Sequence, residues 1–412
     1  MGPAADVISS LEALHELRRR ILAGEPVAGR DVSRDRLAGA LGPLGITRVG
    51  DITDLDRLGI PVWFATRPAS KSLCVANGKG LTAGAAWISA VMESAEQALA
   101  ERADRLIEIV ATPRTMSERR MRVVPLERQT RCAGQPGSID TELGWVRGLC
   151  WRTGEPVYAP YELVGMDMVS DAPWDFGRFR ISSSGLASGG DLLRAVLHGL
   201  RELVEDDAAF AVLRGGTITE ERRTLRLSSH HAGLTELLAR LERNGIAARF
   251  REVTDDIEAP TVLAALHPTE PGQDDQACFS GLACRGSIED AAVAALLEAA
   301  QSRLTFISGS RDDLFQSEYG HSLTPATRGL FGGFELVDRT VAASHPAAEL
   351  CDLGARITSS GLDFYVFPLG GGELGIEAVR VLADDLVSVD APPGQRSGRA
   401  VRKLLGNWSG SP

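Results

Sequence analysis

Near the N-terminus the apolar positions recur with the period of a helix. Leu11, Leu14, Leu17 and Ile21 share one face, with Arg18, Arg19 and Arg20 alongside, which predicts an amphipathic helix over residues 11–23. A second, shorter helix is expected over 34–41. From Ile46 the pattern breaks into short apolar runs, Ile60-Pro61-Val62-Trp63-Phe64-Ala65 among them, punctuated by Gly, Pro and Asp as strands and turns are. The first long helix is expected over 83–109, after Gly78-Lys79-Gly80, with Ala86, Ser89, Ala90, Glu93, Ala98 and Leu106 spread over its turns. Residues 144–151 read as a strand and 152–158 as a hairpin. The small-residue loop 181–190 then opens a second long helix over 191–212, with Asp191 as its cap. Further helices are expected over 235–244 and 288–303, strands over 247–253, 261–265 and 304–308, and an exposed loop over 267–275. The fold class is α+β.

Composition narrows the function classes. A chain of 412 residues with 44% hydrophobic side chains can bury full-sized cores without staples. Its 44 basic against 55 acidic residues give a net charge of -11, which argues against a duplex nucleic-acid binder or a polybasic membrane protein. Charges interrupt every apolar run before the roughly 20 residues a bilayer crossing needs, so a cytoplasmic protein is expected. The six cysteines form no C-x-x-C pair and the seven histidines no tight ligand spacing, which argues against a zinc site or a disulfide scaffold. His230 and His231 are expected in a surface loop without a role, and Cys74 as a small apolar residue and not a nucleophile. There is no repeat of fixed period.

The chemistry is concentrated in two acidic pairs at i, i+3 spacing, Glu93 with Glu96 and Glu202 with Glu205. Each pair projects from one helix face among small and apolar residues, so four carboxylates meeting there would repel one another unless cations neutralised them. The commonplace alternative is a solvated face. Carboxylates suit magnesium, which typically combines a few of them with substrate phosphates, and Mg-nucleotide is the natural ligand. Two loops agree with this: Gly78-Lys79-Gly80 sets an ammonium beside flexible backbone, and residues 184–190 precede a helix N-terminus that favours an anion. Neither is a Walker A loop, since Leu73 and Gly80 stand where glycine and Ser or Thr are required.

In order along the chain, these pieces resemble the YcaO family of ATP-dependent peptide-modifying enzymes. The blocks are Gly45-Ile46-Thr47-Arg48-Val49, Leu55 to Val62, Arg67-Pro68 and Asn77-Gly78-Lys79-Gly80. Then come Ser89, Glu93 and Glu96 as S-x-x-x-E-x-x-E, Ser184 to Gly189, His198 to Glu205, and Gln301 to Asp313. The resemblance implies mixed sheets and helices with ATP held between two acid-bearing helices through Mg2+ on Glu93, Glu96, Glu202 and Glu205. It also places Lys79, Ser89, Ser184, Arg303 and Arg311 in the ATP site; no catalytic residue is assigned. The implied organisation is an N-terminal helical extension over 1–44, a catalytic domain over 45–390 and a C-terminal tail over 391–412.

The implied reaction activates a backbone amide of a ribosomally made precursor peptide by O-phosphorylation, forming an azoline by cyclodehydration or an amidine by macrocyclisation. The second expectation is peptide thioamidation beside a TfuA-like partner, as in the family members most similar over residues 67–73. The third, of another class, is a non-catalytic scaffold that binds a peptide or a partner enzyme. The peptide is the implied partner, with a homodimer as the expected assembly. The chain departs from the family pattern at four places. Ser184, Gly190 and Arg194 stand where Asn, Asn and Glu are usual, and Asp206 replaces the arginine of a Glu-Arg-Asp run, a full reversal of charge.

Overall fold

The computed structural model describes residues 4–129, 140–169, 179–214, 224–269, 279–311, 331–341, 345–388 and 398–406. Helices α1 (Ala5–Leu22) and α2 (Arg34–Ala40) come first, then strands β1 (Arg48–Asp51), β2 (Val62–Thr66) and β3 (Val75–Lys79). Helix α3 (Ala83–Ala100) is followed by α4 (Ala103–Leu106), β4 (Ile107–Ala111), α5 (Pro113–Glu118), β5 (Leu143–Cys150), β6 (Pro156–Pro160) and α6 (Tyr161–Val164). Strand β7 (Leu186–Gly189) leads into α7 (Leu192–Arg214), then β8 (Leu225–Ser228), α8 (Ala232–Arg243), β9 (Ile246–Glu252), β10 (Thr261–Pro268) and β11 (Phe279–Cys284). The rest comprises α9 (Ile288–Ser308), β12 (Phe334–Val337), α10 (Pro346–Ser359), β13 (Phe364–Gly370), β14 (Glu377–Ala383) and α11 (Gly398–Gly406).

The central sheet has six strands in the antiparallel order β4-β5-β13-β14-β7, with β6 also paired to β5. Every residue of β13 is buried, so this strand is apolar on both faces. Two antiparallel three-stranded sheets, β1-β2-β3 and β11-β10-β9, and the parallel pair β8-β12 complete the strand set among the described residues. Helix α3 lies on β2 and β3, α7 on β14 and β7, and α9 on β10 and β11. The N-terminal helix is built into the same body: Leu14, Leu17 and Ile21 pack with residues of α7, α10, β13 and β14.

Small residues set the closest of these contacts. An added Cβ at Gly78 would lie 1.9 Å from the Ala90 nitrogen, so β3 rests directly on the alanine face of α3. Caps fix where the site-bearing helices start: Thr82 accepts from the Ala85 amide, and Asp191 Oδ1 accepts from the Arg194 amide at 3.0 Å, as its place before α7 predicts.

Two expectations are corrected. The helix foreseen over 83–109 stops at Ala100, and Ile107, Ile109, Val110 and Ala111 instead pair with β5, where the branched side chains suit an edge of the central sheet. The strand foreseen over 304–308 is the last turn and a half of α9. There Leu304 and Thr305 continue the buried face of the helix, and Gly309, at φ 59°, ends it. Strands β13 and β14 carried no expectation. The hairpin over 152–158 is present as β5-β6, and Gly154 takes φ 76° in its turn. Of the loop foreseen over 267–275, His267 and Pro268 belong to β10 and 270–275 lie outside the described residues. Of the segment 391–412, the described part is helix α11.

His231 caps α8 through the Leu234 amide and meets Asp290 at 3.1 Å, while His230 pairs with Asp338 at 2.9 Å, so both serve the structure. Among the described residues Cys74, Cys150, Cys284 and Cys351 form no disulfide; Cys132 and Cys278 lie outside them. Among the described residues no helix is long and apolar enough to cross a membrane.

Gly78→Ala should therefore force β3 off α3 and cost about 3 kcal/mol. Gly84→Ala, whose Cβ would meet nothing nearer than Thr82 Oγ1 at 4.0 Å, should cost nothing. Urea denaturation midpoints of the two variants check this.

Candidate active site

Ser89, Glu93 and Glu96 fall at i, i+4 and i+7 on α3 and so share a face, and Glu202 and Glu205 do the same on α7. Strand β7 joins the two helices: Ser188 Oγ donates to Glu96 Oε1 at 2.8 Å. Glu96 is only 8% exposed, and burial, with the Glu93 charge beside it, pushes its carboxyl up to about 8. Glu202 receives the Gly185 amide at 3.2 Å. Desolvation holds its carboxyl well above the usual carboxylate range, and Glu96, Glu205 and Asp206 add to the shift. Glu205 accepts the Cys284 amide at 2.9 Å and is pushed up to about 8 by burial, followed by repulsion from Glu298. A third helix thus contributes: Glu298 of α9 pairs with Lys79 Nζ at 3.3 Å.

Across three helices Glu93 raises the proton affinity of Glu96, Glu298 that of Glu205, and Glu96 and Glu205 that of Glu202, while a third of the Glu202 side chain remains accessible in the recess they line. Such a group is satisfied either by protons or by cations. Its all-oxygen donor set suits a hard divalent ion such as Mg2+, so the residues fit the metal that the acidic pairs imply.

Cations stand at the margin. Lys79 and Arg285 act electrostatically on the site, Arg285 favouring the ionised form of Glu205. His198, one turn before Glu202, is pushed down to about 3 by burial and by Arg285, Arg201 and Lys79. Its contact with Glu202 at 3.6 Å is therefore a polar contact of a neutral imidazole and not an ion pair. Arg380, fully buried on β14, donates Nη1 to the Ser184 carbonyl at 2.9 Å and Nε to the Val164 carbonyl at 3.0 Å, which anchors the loop before β7. Its charge also favours ionised Glu96. Gly185, at φ 76°, turns its amide to Glu202, and a Cβ there would lie 2.3 Å from the Val381 carbonyl.

Of the residues expected in the site, Lys79, Ser89, Glu93, Glu96, Ser184, Glu202 and Glu205 lie on the elements around this recess. Ser184 Oγ donates to Asp206 at 2.5 Å. Arg303 turns its guanidinium to the buried Asp56, bonding both oxygens at 2.7 and 3.1 Å, and is committed to that pair. Arg311 lies beyond the end of α9 at the edge of the described residues, with Asp312 and Asp313 outside them. Glu298, Arg285 and Arg380 went unread. Glu298 carried a signal, a lone carboxylate in the apolar stretch Leu296-Leu297-Glu298-Ala299-Ala300; Arg285 and Arg380 carried none.

Three departures in sequence have structural partners. A Cβ at Gly190 would lie 2.2 Å from the Arg30 carbonyl, and Arg30 Nε donates to the Gly190 carbonyl at 2.7 Å, so the N-terminal segment passes where a side chain would stand. Arg194 pairs with Asp31 of that segment at 2.8 Å. Asp206 takes the Ser184 hydroxyl and adds negative charge beside Glu202.

The family profile described as YcaO cyclodehydratase, ATP- and Mg2+-binding, matches residues 77–387. An uncharacterized protein encoded in the tfuA 3′ region of Rhizobium leguminosarum bv. trifolii is 38% identical over 394 residues, 88% of this chain and 89% of that one. Among solved structures, a heterocyclase in complex with substrate and cofactor superposes with TM-score 0.73 at 16% identity over 96% of this chain. This chain spans 58% of that protein's length. YcaO from Methanopyrus kandleri, bound with AMPPCP and Mg2+, gives TM-score 0.64 at 23% identity over 85% of this chain and 89% of its own.

Because Glu96 and Glu205 hold their protons up to about 8 when folded against 4.5 when unfolded, the folded chain binds more protons in that window. Stability should therefore fall as pH rises from 4.5 to 8. Thermal melts of the metal-free protein should show a shallower slope in Glu205→Gln. Replacing Glu298 by Gln removes a like charge and should lower the apparent pKa of Glu205, read by carboxyl-carbon NMR titration.

Proposed function

The chain belongs to the YcaO family of ATP- and Mg2+-binding enzymes, and on that premise we propose that it activates a backbone amide of a precursor peptide for attack by a sulfide donor, yielding a thioamide, with a TfuA-like protein as partner. The observation that carries the choice of product is the 38% identical relative encoded beside tfuA. It moves thioamidation ahead of azoline or amidine formation, because the likeness to a heterocyclase is one of fold alone.

Glu93, Glu96, Glu202 and Glu205 would hold Mg2+, with Glu298 as a further carboxylate at the same recess. Lys79, Ser89 and Ser184 would face the nucleotide. Bound ATP supplies the γ-phosphoryl group that converts the amide oxygen into a phosphate leaving group once the nucleophile has added to the carbon. The chain's share is to position and to neutralise charge. Lys79 offers an ammonium from the end of β3, and the amides of the loop before β7 are fixed by Arg380. His198 stays neutral and leaves the positive charge to the metal and Lys79. On this reading residues 45–390 form the catalytic unit, flanked by 1–44 and 391–412. A non-catalytic scaffold is disfavoured by the retained carboxylates, which such a protein has no reason to hold against their mutual repulsion.

Calorimetric titration with a non-hydrolysable ATP analogue and Mg2+ should show binding that Glu202→Gln weakens at least about tenfold, or about 1.4 kcal/mol. Absence of binding at millimolar nucleotide overturns the enzyme reading. With precursor peptide, the TfuA-like partner, ATP and sulfide, mass spectrometry should show exchange of one oxygen for one sulfur. Loss of one water would overturn the thioamide in favour of an azoline or amidine.

A further inference from the structure

Away from the recess, one oxygen each of Asp207, Asp255 and Asp256 lie within 4.8 Å of one another. The space among them is filled from α11. Arg399 sends Nη1 to Asp207 Oδ2 and Nη2 to Asp256 Oδ1, both at 2.5 Å. Lys403 Nζ bonds Asp207 Oδ2 at 2.5 Å and also bonds Asp255. Four residues apart, the two cations share one face of the helix. Asp207 is fully buried, and its second oxygen accepts the Val387 amide at 2.9 Å, just beyond β14. Asp255 accepts the Ile257 amide at 3.0 Å.

Asp207 is two residues past Glu205 on α7, so the two side chains leave the helix in nearly opposite directions. Glu205 is tied to β11 through the Cys284 amide, while Asp207 is tied to the loop after β14 and to α11. This turn of α7 is thus held from both sides. Without Arg399 and Lys403, a fully buried carboxylate would face two others with no counter-charge, and this turn of the helix would have to shift to let water reach them.

We propose that α11 is a charge-held latch: Arg399 and Lys403 serve as the internal counter-cation of Asp207, Asp255 and Asp256, and act as positioning residues that fix the rotation of α7 and hence the Glu205 carboxylate. The effect on nucleotide rests on the reading of Glu205 as a metal-holding residue; the latch itself does not. Neither cation touches the recess, so the latch governs affinity from outside it.

The test uses the full chain carrying Arg399→Gln with Lys403→Gln, beside the charge-conserving exchange Arg399→Lys with Lys403→Arg. In the neutralised variant, hydrogen exchange of the α7 amides over 200–210 should speed up by about tenfold or more. The dissociation constant for the Mg2+ complex of a non-hydrolysable ATP analogue should rise about tenfold. The charge-conserving variant should keep both values near those of the unaltered chain, which separates a charge latch from general loss of packing. Unchanged exchange in the neutralised variant overturns the latch, and faster exchange with unchanged nucleotide affinity overturns the positioning role. If the unaltered chain binds no nucleotide, the functional reading fails, while the exchange results still decide the latch.

Discussion

Like charges held together against their own repulsion are the constraint around which this molecule is arranged. Glu96, Glu202, Glu205 and Glu298 come from three helices, each supported by one or two hydrogen-bond donors or one cation: Ser188 Oγ, the amides of Gly185 and Cys284, and Lys79. One or two donors per carboxylate are fewer than water would offer. For Glu96, Glu202 and Glu205, burial and the repulsion of neighbouring carboxylates accordingly favour the protonated forms until a cation enters, which makes the recess a site defined by what it lacks in counter-charge.

Holding helices in such a pattern demands rigid supports close by. Gly78 lets β3 sit on α3, Gly185 aims its amide at Glu202, and Gly199 brings α7 within reach of the Gly185 carbonyl, where a Cβ would approach to 2.9 Å. Arg380 is the buried fastener, bonding two carbonyls that precede or flank the site. The N-terminal segment belongs to the same set of supports: Arg30 crosses Gly190 and Asp31 meets Arg194, so residues that look like losses in the sequence are contacts in the fold.

Cations that could serve the recess are spent elsewhere. Arg303 is committed to Asp56 and Arg201 to Glu349, while Arg399 and Lys403 neutralise Asp207 and its neighbours away from it. Asp206 extends the same trend by replacing a positive charge with a negative one that is fixed to Ser184. What remains at the recess is Lys79 at its rim and the influence of Arg285 and Arg380, which leaves the carboxylates short of counter-charge from the protein itself.

The two acid-bearing helices, the Asp191 cap of the second and the glycine loops before them were legible in the sequence because each depends on local rules: periodicity, capping oxygens, small residues where chain meets chain. The i, i+3 spacing of Glu93 with Glu96 and of Glu202 with Glu205 fixed their common faces without reference to the rest of the chain. Local rules failed where pairing decided the outcome. Residues 107–109 are expected to continue the first long helix but open β4, where β5 receives their branched side chains, while 304–308 carry strand-forming residues but stay helical because α9 continues its buried face. Only tertiary structure brought Glu298 to Glu205, committed Arg303 to Asp56 and set α11 on Asp207, since those encounters join residues dozens to hundreds of positions apart. Their energies are electrostatic terms that depend on distance and burial, which the order of residues does not contain.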